Sequence, residues 1–514
     1  MDVKVTPGAI QESDADAIIV NLFEAPSGEK PEPGGATKAV DDALGGAIGE
    51  LIEGGDVTGK AGQVVVLYPR GAIPARRVIL VGLGARDKFS ANAVRRTDAV
   101  RRAAAHAIKK ARGLKAGRVA SILHGAGAGG LSVEEAAQAT AEGSLLALYD
   151  YHGQKTDKPK EAKPDLLELF VFDEKDAPAA QLGADAAQAI ATGTALARDL
   201  VNLPPNICTP MYMAQAATRM AEKMGLRVEV LERRQMEALK MGALLAVAQG
   251  TDTPPRFIVM EHNGERANEL DTIVLVGKGV TFDTGGYSLK SKEGMGTMKT
   301  DMAGAAAIVG VMSAIGELDL PLHVVGLVPA SDNMIGSHAY RPQEVFTASN
   351  GVTIEINSTD AEGRMLLADA LVYAKRFEPD AVVDIATLTG ACVVALGAGV
   401  AAGLFSTDDT LRDTLLAAGK ATAEKLWPLP LFPEYEKSLE SQTADIRNSA
   451  GRGSGVGSSA TFLKHFVDYP AWAHVDIAGL AFGAKENPYI PAKSATGFGV
   501  RLFTEFVQRW KEQE

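Results

Sequence analysis

Residues 357 to 364 read Asn-Ser-Thr-Asp-Ala-Glu-Gly-Arg. The run sets two carboxylates, Asp360 and Glu362, two residues apart and puts the guanidinium of Arg364 two further on. Such a group can hold cations and an anion side by side. Leu366, Leu367, Ala370, Leu371 and Ala374 follow at helical spacing. The acids therefore fall in the turn that opens a helix, where unpaired N–H groups and the helix dipole favour negative charge. A lone Asp-x-Glu at that place is an ordinary acidic cap. The upstream segment Val274-Leu-Val-Gly-Lys-Gly-Val-Thr-Phe-Asp-Thr-Gly-Gly makes the ordinary reading hard to keep.

Ile273 to Val276 is a fully apolar run that predicts a buried strand ended by Gly277. Lys278 and Asp283 are then expected in the loop leaving the strand's C-terminal end, where open α/β sheets hold their ligands, with Lys290 in the same loop. Asp301 stands before Met302-Ala-Gly-Ala-Ala-Ala-Ile-Val, a small-residue helix start. If Asp283, Asp301, Asp360 and Glu362 converge, four carboxylates share one small volume. Two such charges about 4 Å apart repel by roughly 4 kcal/mol at an effective dielectric near ~20. They must hold protons or cations. Two divalent cations match four negative charges, and hard oxygen ligands suit Mn²⁺, Zn²⁺ or Mg²⁺. None of the eight histidines has a zinc-ligand spacing, and no His-Glu-x-x-His occurs.

These segments closely resemble the leucyl aminopeptidase (cytosol aminopeptidase) family, whose hallmark is an Asn-Thr-Asp-Ala-Glu-Gly-Arg-Leu run. Ser358 stands where the family has Asn beside Thr, Met365 where it has Leu, and Thr284 where it often has Ser. None of these changes touches a charged group. Further matches run through Met298-Lys-Thr-Asp-Met, Ala339-Tyr-Arg-Pro, Ala386-Thr-Leu-Thr-Gly-Ala, Asp476-Ile-Ala-Gly and Ala495-Thr-Gly-Phe-Gly-Val-Arg. Val201-Asn-Leu-Pro-Pro-Asn with Pro210 resembles the family's entrance to its catalytic domain, so the likeness covers roughly residues 190 to 505.

The resemblance implies that Asp283 and Glu362 bridge two metals. Asp360 completes one site, and Lys278 with Asp301 the other. Lys278 would bind as the neutral amine, its pKa depressed by the dications. The metal pair would activate a water and polarise the scissile carbonyl of a peptide whose free N-terminus coordinates one metal. Lys290 would stabilise the developing oxyanion. Arg364 would hold a bicarbonate that shuttles the proton. The pocket for the first substrate residue maps onto Met298, Thr387, Gly390 and Ala478, a neutral lining that favours Leu or Met. The family also implies a macro-like N-terminal domain used in assembly, commonly into a homohexamer built as a dimer of trimers.

The elements that must position these residues alternate throughout the chain. Ala17-Ile-Ile-Val, Val64-Val-Val-Leu, Val78-Ile-Leu-Val, Val119 to Leu123 and Leu167 to Val171 predict strands, and the first residues begin another. Ala-rich periodic stretches near 36–53, 90–112 and 132–149 predict helices, and a longer one from Ala179 to Leu200 links two halves. The fold class is therefore α/β in two domains: residues 1–178, an N-terminal α/β domain, and residues 179–514, a catalytic α/β domain. The second is expected to have a mostly parallel or mixed central sheet flanked by helices. Lys155 to Asp165, charged and with two prolines, is an exposed loop. Gly451-Arg-Gly-Ser-Gly-Val-Gly-Ser-Ser is a mobile or close-packed loop near the site.

A formal charge of −12 argues against nucleic acid as the main partner. Cys208 and Cys392 are the two cysteines, expected as buried free thiols in a reducing, cytoplasmic compartment. No signal-peptide apolar region opens the chain. Residues 385–407 carry no charge, but their glycines and hydroxyls make a poor lipid span and fit a buried strand running into a close-packed core segment. Two rivals to a peptidase stay open. One is a DNA-binding or regulatory protein on an aminopeptidase scaffold. The other is a nucleotide-linked enzyme using Gly125-Ala-Gly-Ala-Gly-Gly, which matches Gly-x-Gly-x-x-Gly after a strand but sits late in its domain, without a nearby ribose-binding acid. Gly54-Gly-Asp-Val-Thr-Gly-Lys-Ala lacks the hydroxyl of a P-loop at Ala61 and reads as a loop.

Overall fold

The computed structural model describes residues 1–90, 93–157, 162–451, 453, 455–483 and 487–510. It falls into two units: residues 1–191 with two short returns of later chain, and the remainder. The division lies inside the helix Ala177–Asn202.

The first unit is built on strands β1 (Asp2–Pro7), β2 (Ala17–Glu24), β3 (Val64–Leu67), β4 (Val78–Ala85), β5 (Arg118–Ile122) and β6 (Leu166–Val171). They lie in the order β1-β6-β5-β2-β4-β3, all parallel except the edge strand β3. β2 and β4 are almost wholly buried, as strands covered on both faces must be. One apolar core carries the helices Ala93–Gly113 and Val133–Ala147, and a second lies on the opposite face. The periodic stretch near 36–53 is two helices, Gly35–Ala43 and Ala47–Glu53. Gly45 and Gly46 part them with φ of 67° and 91°, a left-handed turn that the apolar period does not register. Of the charged loop 155–165, residues 158–161 lie outside the described residues.

The second unit holds β7 (Arg227–Leu231), β8 (Arg256–His262), β9 (Thr272–Gly277), β10 (Gly279–Asp283), β11 (His323–Asn333), β12 (Val345–Thr347), β13 (Thr353–Glu355), β14 (Ala381–Ala386), β15 (Ala402–Ser406), β16 (Leu426–Pro428), β17 (Ile446–Arg447) and β18 (Trp472–Asp476). β12, β13 and β17 form a small separate sheet. The large sheet runs β16-β15-β18-β14-β9-β11-β8-β7, parallel at its centre from β18 to β11 and antiparallel where β15 and β8 join it. Its two faces are covered by separate cores, one packing the helix Ala303–Leu318 and the other the helix Glu362–Ala374.

Two expectations change here. Asp283 is not in a loop: after Lys278 the chain re-enters the sheet as β10 and pairs with β11 beyond the stretch that β9 uses. β9 and β10 follow one another along β11, with Lys278 at the break between them. The uncharged stretch 385–407 is likewise not one core segment. The buried end of β14 gives way to the helix Gly390–Leu396, and Val394 and Val400 stand 88% and 54% exposed before the chain is buried again as β15. Among the described residues, the span long and apolar enough to cross a membrane is Met298–Leu318, and 83% of its apolar window is buried inside the protein, as in a core helix.

Candidate metal centre

The centre gathers at the carboxyl ends of β9, β10 and β14 and at two helix starts. Glu362 is the first residue of the helix Glu362–Ala374, and Asp301 lies in the turn just before Ala303–Leu318. Oxygens of Asp283, Asp301 and Glu362 lie within 4.8 Å of one another, and all three residues are buried. Lys278 joins them, with Nζ 2.8 Å from Asp301 Oδ1, 2.9 Å from Glu362 Oε1 and 2.9 Å from the Thr387 carbonyl. Lys290 Nζ lies 2.8 Å from Asp283 Oδ2 and 2.6 Å from Asp360 Oδ1. Each lysine thus bridges two carboxylates. Asp360 is the most open of the four acids, its side chain 36% exposed.

The neutral residues explain how such charges are held. Gly363 is there because Lys278 is: a Cβ at 363 would lie 2.3 Å from Lys278 Cε. Gly285, at φ 84°, turns the chain so tightly that a Cβ would lie 2.8 Å from Asp360 Oδ1. Asn333, at the end of β11, donates to Asp283 Oδ1 at 2.8 Å and to the Thr359 carbonyl at 3.0 Å. Thr359 ties the acidic turn to the 285–288 turn, giving its hydroxyl to the Gly285 carbonyl and accepting from the Ser288 N–H. Asn448 accepts from the Asn357 and Ser358 N–H groups and donates to the Ser358 carbonyl. The departures from the hallmark run fit this frame. Ser358 Oγ accepts from the Asp360 N–H, Thr284 Oγ1 donates to the Asn333 carbonyl, and Met365 is core.

Burial and mutual repulsion set the charges. Burial, then the charge of Glu362, lifts Asp283 to about 6. Burial also raises Asp301, and its ion pair with Lys278 does not offset burial combined with two neighbouring acids. Glu362 goes the other way: burial would raise it, but Lys278 and Lys290 draw it down to about 2. Burial alone would lower Lys278, yet Asp301, Glu362 and Asp283 hold its ammonium form above the ordinary lysine range. Asp301 Oδ2 is buried without a hydrogen-bond partner. A desolvated, unpaired carboxylate oxygen beside two other acids fits a cation ligand.

Arg364 lies in the first turn of the acidic helix. It donates from one guanidinium nitrogen to the Asn448 carbonyl at 2.6 Å and from another to Ser459 Oγ at 2.8 Å. Its Nε is buried without a partner, and burial lowers its pKa to about 10. That free N–H on a buried cation fits a small anion such as bicarbonate. Ser459 comes from the glycine-rich stretch, which enters the helix Gly457–Lys464; Arg452 and Ser454 lie outside the described residues.

Of the four positions expected to receive a side chain, Thr387 is at the centre, its hydroxyl 2.7 Å from Asp301 Oδ1. Met298 opens the turn that leads to Asp301, and Gly390 starts its helix with open space where a Cβ would be. Ala478 is gathered with residues 388 and 389 by one carboxylate. Asp476 accepts from the Leu388, Thr389 and Ala478 N–H groups and from the Thr389 hydroxyl. Asp476, Asn333 and Asn448 carry no role in the sequence reading. Their signal there is weak, since most of what they hold lies far along the chain.

A buried carboxylate–lysine cluster at the carboxyl edge of a largely parallel sheet defines a divalent-metal hydrolase. Comparison with known proteins makes that class specific. Residues 195–504 match the catalytic domain of the cytosol aminopeptidase family, and residues 19–158 match its N-terminal domain. A probable cytosol aminopeptidase of Geobacter sp. (strain M21) is 43% identical, over 99% of this chain and 100% of its own. The cytosol aminopeptidase of Pseudomonas aeruginosa (strain PAO1) is 42% identical, over 93% and 94%. Among solved structures, a point mutant of tomato leucine aminopeptidase superposes with a TM-score of 0.85 at 33% identity, covering 99% of this chain and 96% of its own. The bottromycin maturation enzyme BotP in complex with Mn gives 0.81 at 34% identity, covering 96% and 99%. The chain belongs to the cytosol aminopeptidase family and is a metal-dependent aminopeptidase.

Proposed function

We propose that the enzyme releases N-terminal residues, preferentially Leu and other neutral apolar ones, from peptides at a two-metal centre. In this reading Lys278, Asp283, Asp301, Asp360 and Glu362 hold the cations. The observation that carries it is the buried convergence of Asp283, Asp301 and Glu362 around Lys278. When bound, two divalent ions supply an activated water and polarise the scissile carbonyl. Mn²⁺ or Zn²⁺, with Mg²⁺ as a third candidate, suits these hard oxygens, and a relative solved with Mn supports manganese. Lys290, whose ammonium form is reinforced by Asp283 and Asp360, donates to the carbonyl oxygen as negative charge grows there. Arg364, whose Nε–H is buried without a partner, would hold a bicarbonate, and that anion would supply proton transfer beside the acids. Met298, Thr387, Gly390 and Ala478 line a neutral pocket for the first side chain, which supports the apolar preference.

In the same reading the N-terminal unit serves assembly into a homohexamer and the enzyme works in the cytoplasm; the name cytosol aminopeptidase carried by its relatives supports the second. Light scattering should give six times the 53.8 kDa chain mass. Hydrolysis of leucine-p-nitroanilide with Mn²⁺ or Zn²⁺, with and without chelator, tests the chemistry. Release that a chelator leaves untouched, or that Glu362→Ala leaves unchanged, would refute it. The DNA-binding alternative is not favoured by a chain of formal charge −12 whose relatives are named as aminopeptidases.

A further inference from the structure

The first unit holds a cavity of ≈ 840 Å³ to which peptide hydrolysis gives no role. It lies where the helices Ala93–Gly113 and Val133–Ala147 end and the chain turns towards β5 and β6. Residues 488–491, part of the later chain that returns to this unit, form another wall. That wall is fixed: Lys109 donates to the Pro488 carbonyl, and the buried Tyr489 donates its hydroxyl to Asp98. Lys109, Arg112 and Lys115 bring three cations to the lining, and Asp150 is the one acid among the described lining residues. Arg112 grips Asp150 with two bonds of 3.1 and 2.7 Å, and Lys163 adds a fourth cation 3.4 Å from the same carboxylate. Burial would raise Asp150, but Arg112 and Lys163 hold it below the ordinary carboxylate range, so it stays charged.

Cations at helix ends ordinarily offset the dipole or bond the last carbonyls. That account does not cover these. The helix Ala93–Gly113 closes on its own backbone: the Lys115 N–H donates to the Arg112 carbonyl at 2.9 Å, and the Ala116 N–H to the Ala111 carbonyl at 3.1 Å. The closure sets Lys115 in a left-handed conformation, φ 56°, where glycine is the usual residue. A glycine would end the helix with less strain, so the turn gives no reason for a lysine and its ammonium group does. The charges do not balance either. Each helix end is equivalent to about half a negative charge, so the two ends and Asp150 offset about two of the four cations. About two positive charges are left over, in a concave site that focuses their field, on a chain of formal charge −12. A surplus of that size matches a dianion, such as a phosphate monoester at neutral pH. Leu146, Tyr149 and Ile490 add apolar wall for an organic body, and the volume is that of an ordinary small-molecule site, about 300–1,000 Å³. We propose that this cavity binds a small organic dianion, a phosphate monoester or a dicarboxylate, with its charges against Lys109 and Lys115 and its carbon body against Tyr149 and Ile490.

The test uses the full-length protein loaded with Mn²⁺. Calorimetry is run with phenyl phosphate, phenylsuccinate and the monoanion benzenesulfonate, which share a ring and differ in the charge it carries. At least one of the two dianions should bind more tightly than the monoanion, and the tighter of the two identifies the anionic group that the site takes. Lys115→Gly should weaken that dianion by about fivefold, the effect of losing one cation at a partly screened distance. Its melting temperature should equal or exceed that of wild type, since glycine suits the left-handed turn. Lys109→Gln should weaken the dianion comparably, and both variants should hydrolyse leucine-p-nitroanilide at the wild-type rate. The metal centre is the same in wild type and variants, so a dianion held there would be weakened by neither substitution. Binding that both variants leave unchanged therefore overturns the proposal. No heat with either dianion at millimolar concentration, or equal affinity for benzenesulfonate, overturns it as well.

Discussion

Gly363→Ala separates stability from catalysis. Alanine is the better helix former by up to about 1 kcal/mol, so on helix propensity alone the variant gains. The added Cβ, however, would sit 2.3 Å from Lys278 Cε and 2.7 Å from its Nζ. Carbon atoms settle at about 3.5–4.0 Å, so Lys278 must move by roughly 1 Å or more. A free lysine end would swing away cheaply. This one is 3% exposed and fixed by Asp301, Glu362 and the Thr387 carbonyl, so the shift breaks charge-assisted bonds of 2.8–2.9 Å. Overpacking of this kind costs about 1–3 kcal/mol, which leaves a net destabilisation of about 0–2 kcal/mol after the helical gain. A displacement near 1 Å in a reacting constellation costs about 100-fold in rate. The variant should melt close to wild type yet hydrolyse leucine-p-nitroanilide about 100-fold more slowly in saturating Mn²⁺. Wild-type kcat/KM in a folded Gly363→Ala protein would refute the idea that this glycine exists to seat Lys278.

Asn333→Ala removes a fully buried side chain that holds both Asp283 and the Thr359 carbonyl. Metal affinity, measured by calorimetry, should fall about 10–100-fold. Much of the rate should return when metal is in excess. Lys278 enters a metal site only by giving up a proton that Asp301, Glu362 and Asp283 hold on it. Metal affinity should therefore rise by at least about tenfold per pH unit. The heat of binding should differ between buffers of different ionisation enthalpy, and equal heats would contradict the ligand role. His124 is wholly buried, and burial lowers it from 6.5 to about 4. The unfolded chain takes up that proton first, so stability is lost as pH falls through 6.5 and the loss is complete near 4. The size is about 3 kcal/mol. Urea titrations across this range should show the loss in wild type and a flatter profile in His124→Gln.

The charged part of the centre was legible because its signals are local. Asp301 and Glu362 announce themselves as acids against small-residue and apolar helix starts, and Lys278 as a lone charge after an apolar run. What holds them was not legible. Asn333, Asn448 and Asp476 act through hydrogen bonds to segments that the fold brings near, and a single polar side chain at or just past a strand end has no periodicity to betray it. The position of Asp283 was misread for a related reason. An apolar run followed by glycine looks like a strand that stops, whereas this one breaks at Lys278 and resumes against a later strand, which the local pattern cannot register. The alternation of elements gave the α/β class, because buried parallel strands and amphipathic helices differ in period. It could not show that Gly125 lies mid-sheet, since strand order is a property of crossovers rather than of any one segment.

The two lysines account for how so acidic a centre can fold before any cation arrives. Buried acids left unpaired cost several kcal/mol each. Here Lys278 spans Asp301 and Glu362 while Lys290 spans Asp283 and Asp360, so each ammonium stands between the two acids whose repulsion it relieves. The balance is incomplete: four carboxylates against two ammonium groups leave negative charge, which adds to burial in raising Asp283 and Asp301 towards holding protons. That shortfall draws dications in. In the proposed two-metal reading, two dications would offset the four acids and leave Lys278 to act as a neutral donor, while Lys290, less buried, would keep its charge. The loaded centre would then carry net positive charge in a water-poor site. It is matched to a transition state in which negative charge appears on the substrate oxygen, and less well to the neutral peptide that precedes it. In the proposed reading the lysines, counter-ions in the metal-free protein, would become catalytic groups in the loaded one, and a chelator should abolish turnover without unfolding the chain.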